Sequence, residues 1–185
     1  MEIGKVEFLC IMTIMNLTKE QRIKKYLPDG VYGAIDGTVT TFAIIGGVYG
    51  AGLTPVIVLI LGISNVLADG FSMAASNYLS KKSEEDDANH HTAIYSAVTT
   101  FVAFVVVGTI PLVPFIVSVF VLLSAKTQFL YSIVGTFLAF IFTGYMRARI
   151  TGSSIVRSAL ETVLVGGIAA AIAYGVGVAL KGLGV

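Results

Sequence analysis

The sequence predicts an all-α integral membrane protein, a bundle of five transmembrane helices with a cytoplasmic N-terminus and a C-terminus on the outside. Composition is the first reason: of the 185 residues, 56% are hydrophobic and 12% are charged, and the mean hydropathy is +0.88. A soluble domain of this length cannot bury so much apolar surface, so lipid must surround most of it. The second reason is that the charged residues form short clusters between long uncharged tracts.

Residues 1–30 are expected to form a cytoplasmic amphipathic arm at the membrane surface. The apolar stretch "FLCIMTIM" has no small-residue cleavage site and is followed by the basic stretch "TKEQRIKKYLPDG", which argues against a signal peptide. Cys10 is the single cysteine, so an internal disulfide is excluded. The net charge of +1 and the lack of a basic face beyond short clusters argue against a nucleic-acid partner.

Residues 31–185 are expected to form one transmembrane domain. A bilayer core about 30 Å thick requires about 20 apolar residues of helix. Small residues at spacings of three and four, typical of close helix packing in lipid, mark the first and last tracts. The expected spans lie near 31–53, 56–80, 92–113, 115–146 and 158–180.

The fourth tract is the ambiguous one. Its first piece, "FIVSVFVLLSA", is too short to cross a bilayer alone and is followed by Lys126, while "FLYSIVGTFLAFIFTGY" is close to a full span. If both pieces crossed, Arg147, Arg149 and Arg157 would lie on the opposite side from the other basic clusters. The positive-inside bias therefore favours five spans over six.

Three ionisable residues fall within these spans: Asp36, Asp69 and Glu161. An ionisable group in hydrocarbon costs several kcal/mol unless it is paired or hydrated, so such residues suggest function. Glu161 follows Arg157 by four residues, one helical turn, and an ion pair between them near the cytoplasmic end explains it without a transport role.

The second span carries a polar stripe. At about 100° per residue, five side chains project from one side of this helix: Asn65, Asp69, Ser72, Met73 and Ser76. Met73 is expected about 10 Å inside the cytoplasmic boundary and Asp36 about 8 Å inside it. Because the first two helices run in opposite directions, a carboxylate and a thioether are expected to converge.

This pair of ligands suits a borderline transition ion such as Fe²⁺, because the carboxylate binds hard cations and the thioether is soft. A carboxylate in a low dielectric also has a raised proton affinity, so it can exchange a proton for a metal ion. The residues alone leave a second interpretation open. Met73 would then fill a gap in the core, and Asp69 would hydrogen-bond a neighbouring helix.

Two stretches resemble the paired signatures of the vacuolar iron transporter family: "DGTVTTFAIIGGVYGAG" in the first span and "ADGFSMAASNYLSKKSEE" in the second. The resemblance implies five transmembrane helices and a homodimer whose pathway lies between the subunits, lined by the first two helices. It also implies proton-driven export of Fe²⁺ from the cytosol. The pathway aspartate of the family falls on Asp36 and the methionine of its "SM" motif on Met73, while Asp69 belongs to the "ADG" variant of that motif.

The chain departs from the family pattern in two places. Eukaryotic members insert a glutamate-rich cytosolic domain between the second and third helices, where this chain has only "KKSEEDDANHHT". Asn77 stands where an acidic residue is often found. The short loop still offers oxygen and imidazole donors that could attract divalent cations, although a solvated acidic loop is the plainer interpretation. These donors are Glu84, Glu85, Asp86, Asp87, His90 and His91.

The sequence is thus interpreted as a homodimeric transporter in a prokaryotic plasma (inner) membrane that exports Fe²⁺, with Mn²⁺ as a second substrate, in exchange for protons. No resident cofactor and no enzymatic activity are expected. The alternatives are a membrane scaffold that does not transport and a passive divalent-cation channel. The expected metal ligands are Asp36, Met73 and Asp69. The expected pathway-lining residues are Thr40, Asn65, Ser76 and Asn77.

Overall fold

The computed structural model describes residues 19–84 and 90–183, and every regular element in these ranges is helical. The helices are α1 Lys19–Ala51, α2 Pro55–Glu84, α3 His90–Gly108, α4 Val113–Val117, α5 Ala125–Thr151 and α6 Ile155–Gly182. A 3₁₀ turn, Ile110–Leu112, joins α3 to α4. Five stretches are long and apolar enough to cross a membrane. Four of them are the single helices α1, α2, α5 and α6, and the fifth is formed by α3 together with α4. The predicted fold class is confirmed, while the orientation of the termini stays a prediction.

Helix α1 lies in the middle of the bundle, where its glycines let α3 approach closely. A Cβ atom added at Gly33 would collide with the carbonyl oxygen of Thr100, and one added at Gly37 would lie 2.6 Å from the carbonyl oxygen of Phe104. Both contacts are with backbone, which cannot rotate away as a side chain can. Because the contact advances along both helices together, α1 and α3 run parallel.

Helix α6 packs on the other half of α1 in the same way. A Cβ atom at Gly46 would lie 3.1 Å from the carbonyl oxygen of Ala170, and one at Gly50 would collide with that of Tyr174. Farther along, a Cβ at Gly177 would collide with backbone of α1. Helix α6 is therefore also parallel to α1, and small residues bring the two backbones together as they do in other membrane bundles.

Helices α2 and α5 run the opposite way. Gly62 of α2 packs against Leu112, whereas Gly70 packs against Phe104, so α2 descends along α3. Gly144 of α5 packs against Ala159 at the start of α6. One end of the bundle thus holds the starts of α1, α3 and α6 and the ends of α2 and α5, and we call it the N-terminal end.

The fourth spanning helix begins at Ala125, not near residue 115 as the sequence suggested. The apolar residues before it end the third span instead, where Phe115 is buried in the core. Ser124 then starts the new helix, because its side-chain oxygen accepts a hydrogen bond from the backbone N–H of Thr127 at 3.2 Å. Apolar composition alone does not mark this break.

The first helix also begins earlier than expected. Helix α1 is already helical at Lys19, the first described residue, and continues through Pro28 into the membrane-spanning part without a break at residue 30. The part of the predicted arm that precedes Lys19 lies outside the described residues. What was expected to be the end of a surface arm is therefore the first turns of the central helix.

Candidate functional site

Asp36 of α1 and Asp69 of α2 lie at the same level of the bundle. Both side chains are half-buried, and they are close enough for their charges to interact. Each aspartate is followed by a glycine, and both glycines pack against the ring of Phe104, which is 0% exposed. A Cβ atom at Gly37 or Gly70 would lie 3.1 or 3.0 Å from Phe104 Cδ1. The ring thus sets the spacing of α1 and α2 where they carry the carboxylates.

The register of the two helices places Asp69 opposite Asp36. Asn77 of α2 donates a hydrogen bond to Asp29 of α1 at 3.3 Å. Because the two helices run antiparallel, Asp36 and Asp69 both lie about two turns farther into the bundle from this hydrogen bond. Met73 lies one turn nearer the N-terminal end, about 5 to 6 Å along the axis from the aspartate pair. Its side chain is half-buried on the same side of α2. The sequence had placed Met73, and not Asp69, at the level of Asp36.

The residues expected to line a pathway occupy different positions relative to Asp36 and Asp69. Thr40 donates its hydroxyl to the carbonyl oxygen of Asp36 at 2.8 Å, so its lone pairs stay available. Asn65 is one turn from Asp69, and its Nδ2 is buried without a hydrogen-bond partner in the described part of the chain. Ser76 is exposed on the outer surface of α2. A polar stripe therefore runs along α2, partly covered by α1 and partly open.

A fourth carboxylate, Asp29, was missed by the sequence analysis. It accepts hydrogen bonds from the Ser96 hydroxyl and the Asn77 amide and lies 3.6 Å from Lys81 Nζ. Asn77 also donates to Thr100 Oγ1 at 2.7 Å. This polar cluster ties α1, α2 and α3 together at the N-terminal end, and Asn77 is its central bridge.

A signal for Asp29 was present in the sequence. Asp29 precedes Asp36 by seven residues, two helical turns, and so lies on the same face of α1. It is also followed by a glycine that packs on α3, since a Cβ atom at Gly30 would lie 3.2 Å from Thr99 Cγ2. The same aspartate-glycine pair thus occurs at all three positions where these helices carry an aspartate.

Glu161 lies apart from this site, where α5 and α6 meet. Its carboxylate pairs with Arg157 Nε and Arg147 Nη1, each at 3.0 Å. The ion pair expected with Arg157 is present, and Arg147 is a second partner that the sequence did not suggest.

Most of the predicted acidic loop lies outside the described residues. Residues 85–89 lie outside the described residues, and for Glu84, His90 and His91 only the helical backbone is described. Within the described ranges, no group of three His, Cys, Asp or Glu side chains comes together in one chain. What one chain brings to the site is a pair of carboxylates and a thioether one turn away.

The known proteins that this chain is similar to belong to one family. The profile of the VIT family matches residues 27–94 and 85–178. "Vacuolar iron transporter 1" of Tulipa gesneriana is 26% identical over 235 aligned positions, covering 90% of this chain and 94% of the relative. The protein of that name from Arabidopsis thaliana is 27% identical over 210 positions, covering 79% of this chain and 82% of the relative.

A shorter match has a higher sequence identity. "Vacuolar iron transporter" of Plasmodium falciparum (isolate 3D7) is 43% identical over 56 residues, which cover 30% of this chain and 20% of the relative. The tulip alignment is longer than this chain of 185 residues, so the tulip protein has inserted residues that this chain lacks. The two ranges matched by the family profile meet at the connection between α2 and α3.

Proposed function

Because this chain belongs to the VIT family, we propose that it transports Fe²⁺ out of the cytoplasm through the site formed by Asp36, Asp69 and Met73. The observation that carries the proposal is that Asp36 and Asp69 lie at the same level of α1 and α2 inside a membrane-spanning bundle, with a thioether one turn away on the same side of α2. Two adjacent anionic side chains in hydrocarbon are unfavourable unless a cation or protons neutralise them.

The ligand chemistry favours a transition ion over Mg²⁺ or Ca²⁺. Carboxylate oxygens bind all of these ions, but a thioether adds affinity only for softer ones such as Fe²⁺. Mn²⁺ is the second candidate substrate, since ligand type alone does not rank neighbouring divalent ions. The unpartnered Asn65 amide supports a polar occupant beside Asp69, either a water molecule or a hydrated ion.

Proton exchange and a homodimer complete the proposal. When the metal leaves, protons can neutralise the carboxylate pair, which couples metal movement to a pH gradient. The open side of the polar stripe on α2 would face lipid in a single chain, and a second copy would cover it. The relatives are named as transporters, in agreement with the expectation that this chain is not an enzyme. Its expected membrane is the prokaryotic plasma membrane.

Proteoliposomes that contain an iron-quenched dye test the proposal. Wild-type protein should take up Fe²⁺ at a rate that saturates and depends on a pH gradient, and Asp36→Asn and Met73→Leu should each reduce this rate at least about tenfold. Glu161→Gln is the matched control, because it removes an intramembrane carboxylate that the structure places away from the site. Rates are divided by the amount of folded protein incorporated.

Each other outcome rejects part of the proposal. Normal uptake by both site variants would reject the site, and no uptake by the wild type would favour the scaffold alternative. Uptake that neither saturates nor responds to the gradient would favour a passive channel. Parallel assays with Fe²⁺, Mn²⁺, Co²⁺ and Zn²⁺ rank the substrates.

A further inference from the structure

The connection between α4 and α5, residues 118–123, is apolar although it lies outside any helix. Its sequence is "SVFVLL", and no Asp, Glu, Lys or Arg occurs between His91 and Lys126. The ring of Phe120 is 85% exposed, and the side chain of Leu122 is fully exposed. The described turns at 52–54 and 152–154 instead contain glycine together with Thr or Ser, as turns in water usually do. We call residues 118–123 the apolar connection.

The apolar connection bonds many of its polar groups within the protein. The N–H groups of residues 118–121 donate to carbonyl oxygens of α4 at distances between 3.0 and 3.2 Å. The hydroxyl of Ser118 donates to the carbonyl oxygen of Phe115 at 2.6 Å. The carbonyl oxygen of Leu123 accepts from the side-chain Nε2 of Gln128 at 2.9 Å. Polar groups that bond in this way can lie in hydrocarbon, where no water is present to replace the partner.

The length of α5 places the apolar connection at the edge of the hydrocarbon core. From Ala125 to Arg147 the helix rises about 33 Å, slightly more than a core of about 30 Å. With Arg147 in the headgroup layer, the residues just before Ala125 lie at the opposite boundary. In the described part of the chain the N–H groups of residues 122–124 have no backbone partner, and headgroups or water at this boundary can supply one.

Lipid is the occupant that fits this surface. The exposed side chains of Val113 and Val117 belong to α4, the end of a membrane span, so one apolar surface continues from the span into the connection. A docked protein would usually meet a polar rim around an apolar centre, whereas Ser118 is the one polar side chain of the connection. Lys126 is exposed just beyond it, where a basic side chain can reach the headgroups.

We propose that the apolar connection inserts into the acyl-chain layer of the phospholipid bilayer, at the end of the bundle opposite the N-terminal end, with Phe120 and Leu122 as its anchors. The inserted side chains fix the depth at which α5 begins in the membrane. This surface is separate from the aspartate pair on α1 and α2 and does not rest on the proposed transport function.

Tryptophan fluorescence tests the proposal, because the chain contains no tryptophan and an introduced one reports only its own surroundings. Phe120→Trp and Leu122→Trp are reconstituted separately, as full chains, in phosphatidylcholine vesicles. Both should lose fluorescence when the acyl chains carry bromine, and both should be protected from iodide supplied on the two sides of the membrane. The control in water is Ser83→Trp, at an exposed position among charged residues near the end of α2. The control in lipid is Leu164→Trp, at an exposed position within α6.

The two quenchers separate the possible surroundings. Brominated chains should quench Leu164→Trp and both connection variants, and iodide should quench Ser83→Trp several-fold more strongly than any of these three. Two positions in the connection keep the test valid if one variant fails to fold. Iodide quenching of the connection variants as strong as that of Ser83→Trp would place the connection in water and overturn the proposal. Protection from both quenchers would also overturn it, because protein, such as a second copy of the chain, would then cover the connection.

Discussion

At the scale of single residues, the register of α1 and α2 places Asp69, and not Met73, at the level of Asp36. Two carboxylates give a divalent cation its full counter-charge, and a neutral amide at either position would halve it. The contribution of Asp69 to the site is therefore expected to be as large as that of Asp36. The "ADG" motif would then supply a primary ligand, with the thioether of Met73 serving selectivity.

Asp69→Asn tests this equivalence. A carboxylate that contacts a cation in a partly buried site contributes several kcal/mol, so the KM for Fe²⁺ uptake should rise about tenfold or more. The measurement is the initial uptake rate as a function of Fe²⁺ concentration, with Glu161→Gln as the control. An unchanged KM in Asp69→Asn would mean that Asp69 only packs against its neighbours.

Asn77→Asp tests the polar cluster at the N-terminal end. The amide of Asn77 donates to both Asp29 and Thr100. An ionised carboxylate donates to neither and would repel Asp29, so the protein should lose about 1–3 kcal/mol of stability. Thermal unfolding in detergent measures the loss. Ser83→Asp adds the same charge at an exposed position near the end of α2, and a comparable loss there would contradict the role given to Asn77.

Some of these positions could be predicted from the sequence and others could not, for physical reasons. Helical periodicity was sufficient to place Asp69 and Met73 on one side of α2. The level of Asp36 depends on how α1 and α2 slide past each other, and contacts with Phe104 on a third helix determine that. Asp29 was missed because it follows a basic cluster and so appeared to belong to a solvated surface arm.

At the scale of elements, the ring of Phe104 positions the site. Gly70→Ala would bring a Cβ atom to 3.0 Å from this ring and push α2 away from α3. Overpacking of this kind costs about 1–3 kcal/mol, so Gly70→Ala should lower the melting temperature and the Fe²⁺ uptake rate together. Adding Phe104→Leu should recover part of both losses, because the smaller side chain makes room for the methyl group.

The control for this experiment lies on the last helix. Gly167 has no atom within 4 Å of an added Cβ, so Gly167→Ala should leave the melting temperature and uptake close to the wild type. If Gly167→Ala is as harmful as Gly70→Ala, the effect reflects the helix backbone and not the contact with Phe104. A double variant no better than Gly70→Ala alone would lead to the same conclusion.

The ends of the elements were less predictable than their number. The lengths of the apolar tracts, set by the thickness of the bilayer, together with the positive-inside bias that decides between five and six, are sufficient to count the spans. They do not show where a helix ends within an apolar stretch. The start of α5 depends on the cap at Ser124, and the residues before it are equally apolar because Phe115 fills the core.

At the scale of the whole molecule, the outer surface of the bundle is not uniform. Helix α6 presents exposed apolar side chains such as Leu164, which suit lipid. Helix α2 also exposes apolar side chains such as Phe71, but between them it exposes Ser64, Ser72 and Ser76 on its membrane-spanning surface. Polar groups on a surface that faces lipid are unfavourable, so α2, and not α6, is the expected contact surface between two copies.

Cross-linking from α2 tests the homodimer. Ser72→Cys and Ser76→Cys, each made with Cys10→Ser, should form dimers with a short bismaleimide in the membrane, because the two α2 surfaces would face each other across the dimer axis. Leu164→Cys in the same background should remain monomeric on a denaturing gel, since its helix faces lipid. Equal cross-linking from both helices would indicate random collision, and none from either α2 position in a transport-competent protein would contradict a dimer built on this helix.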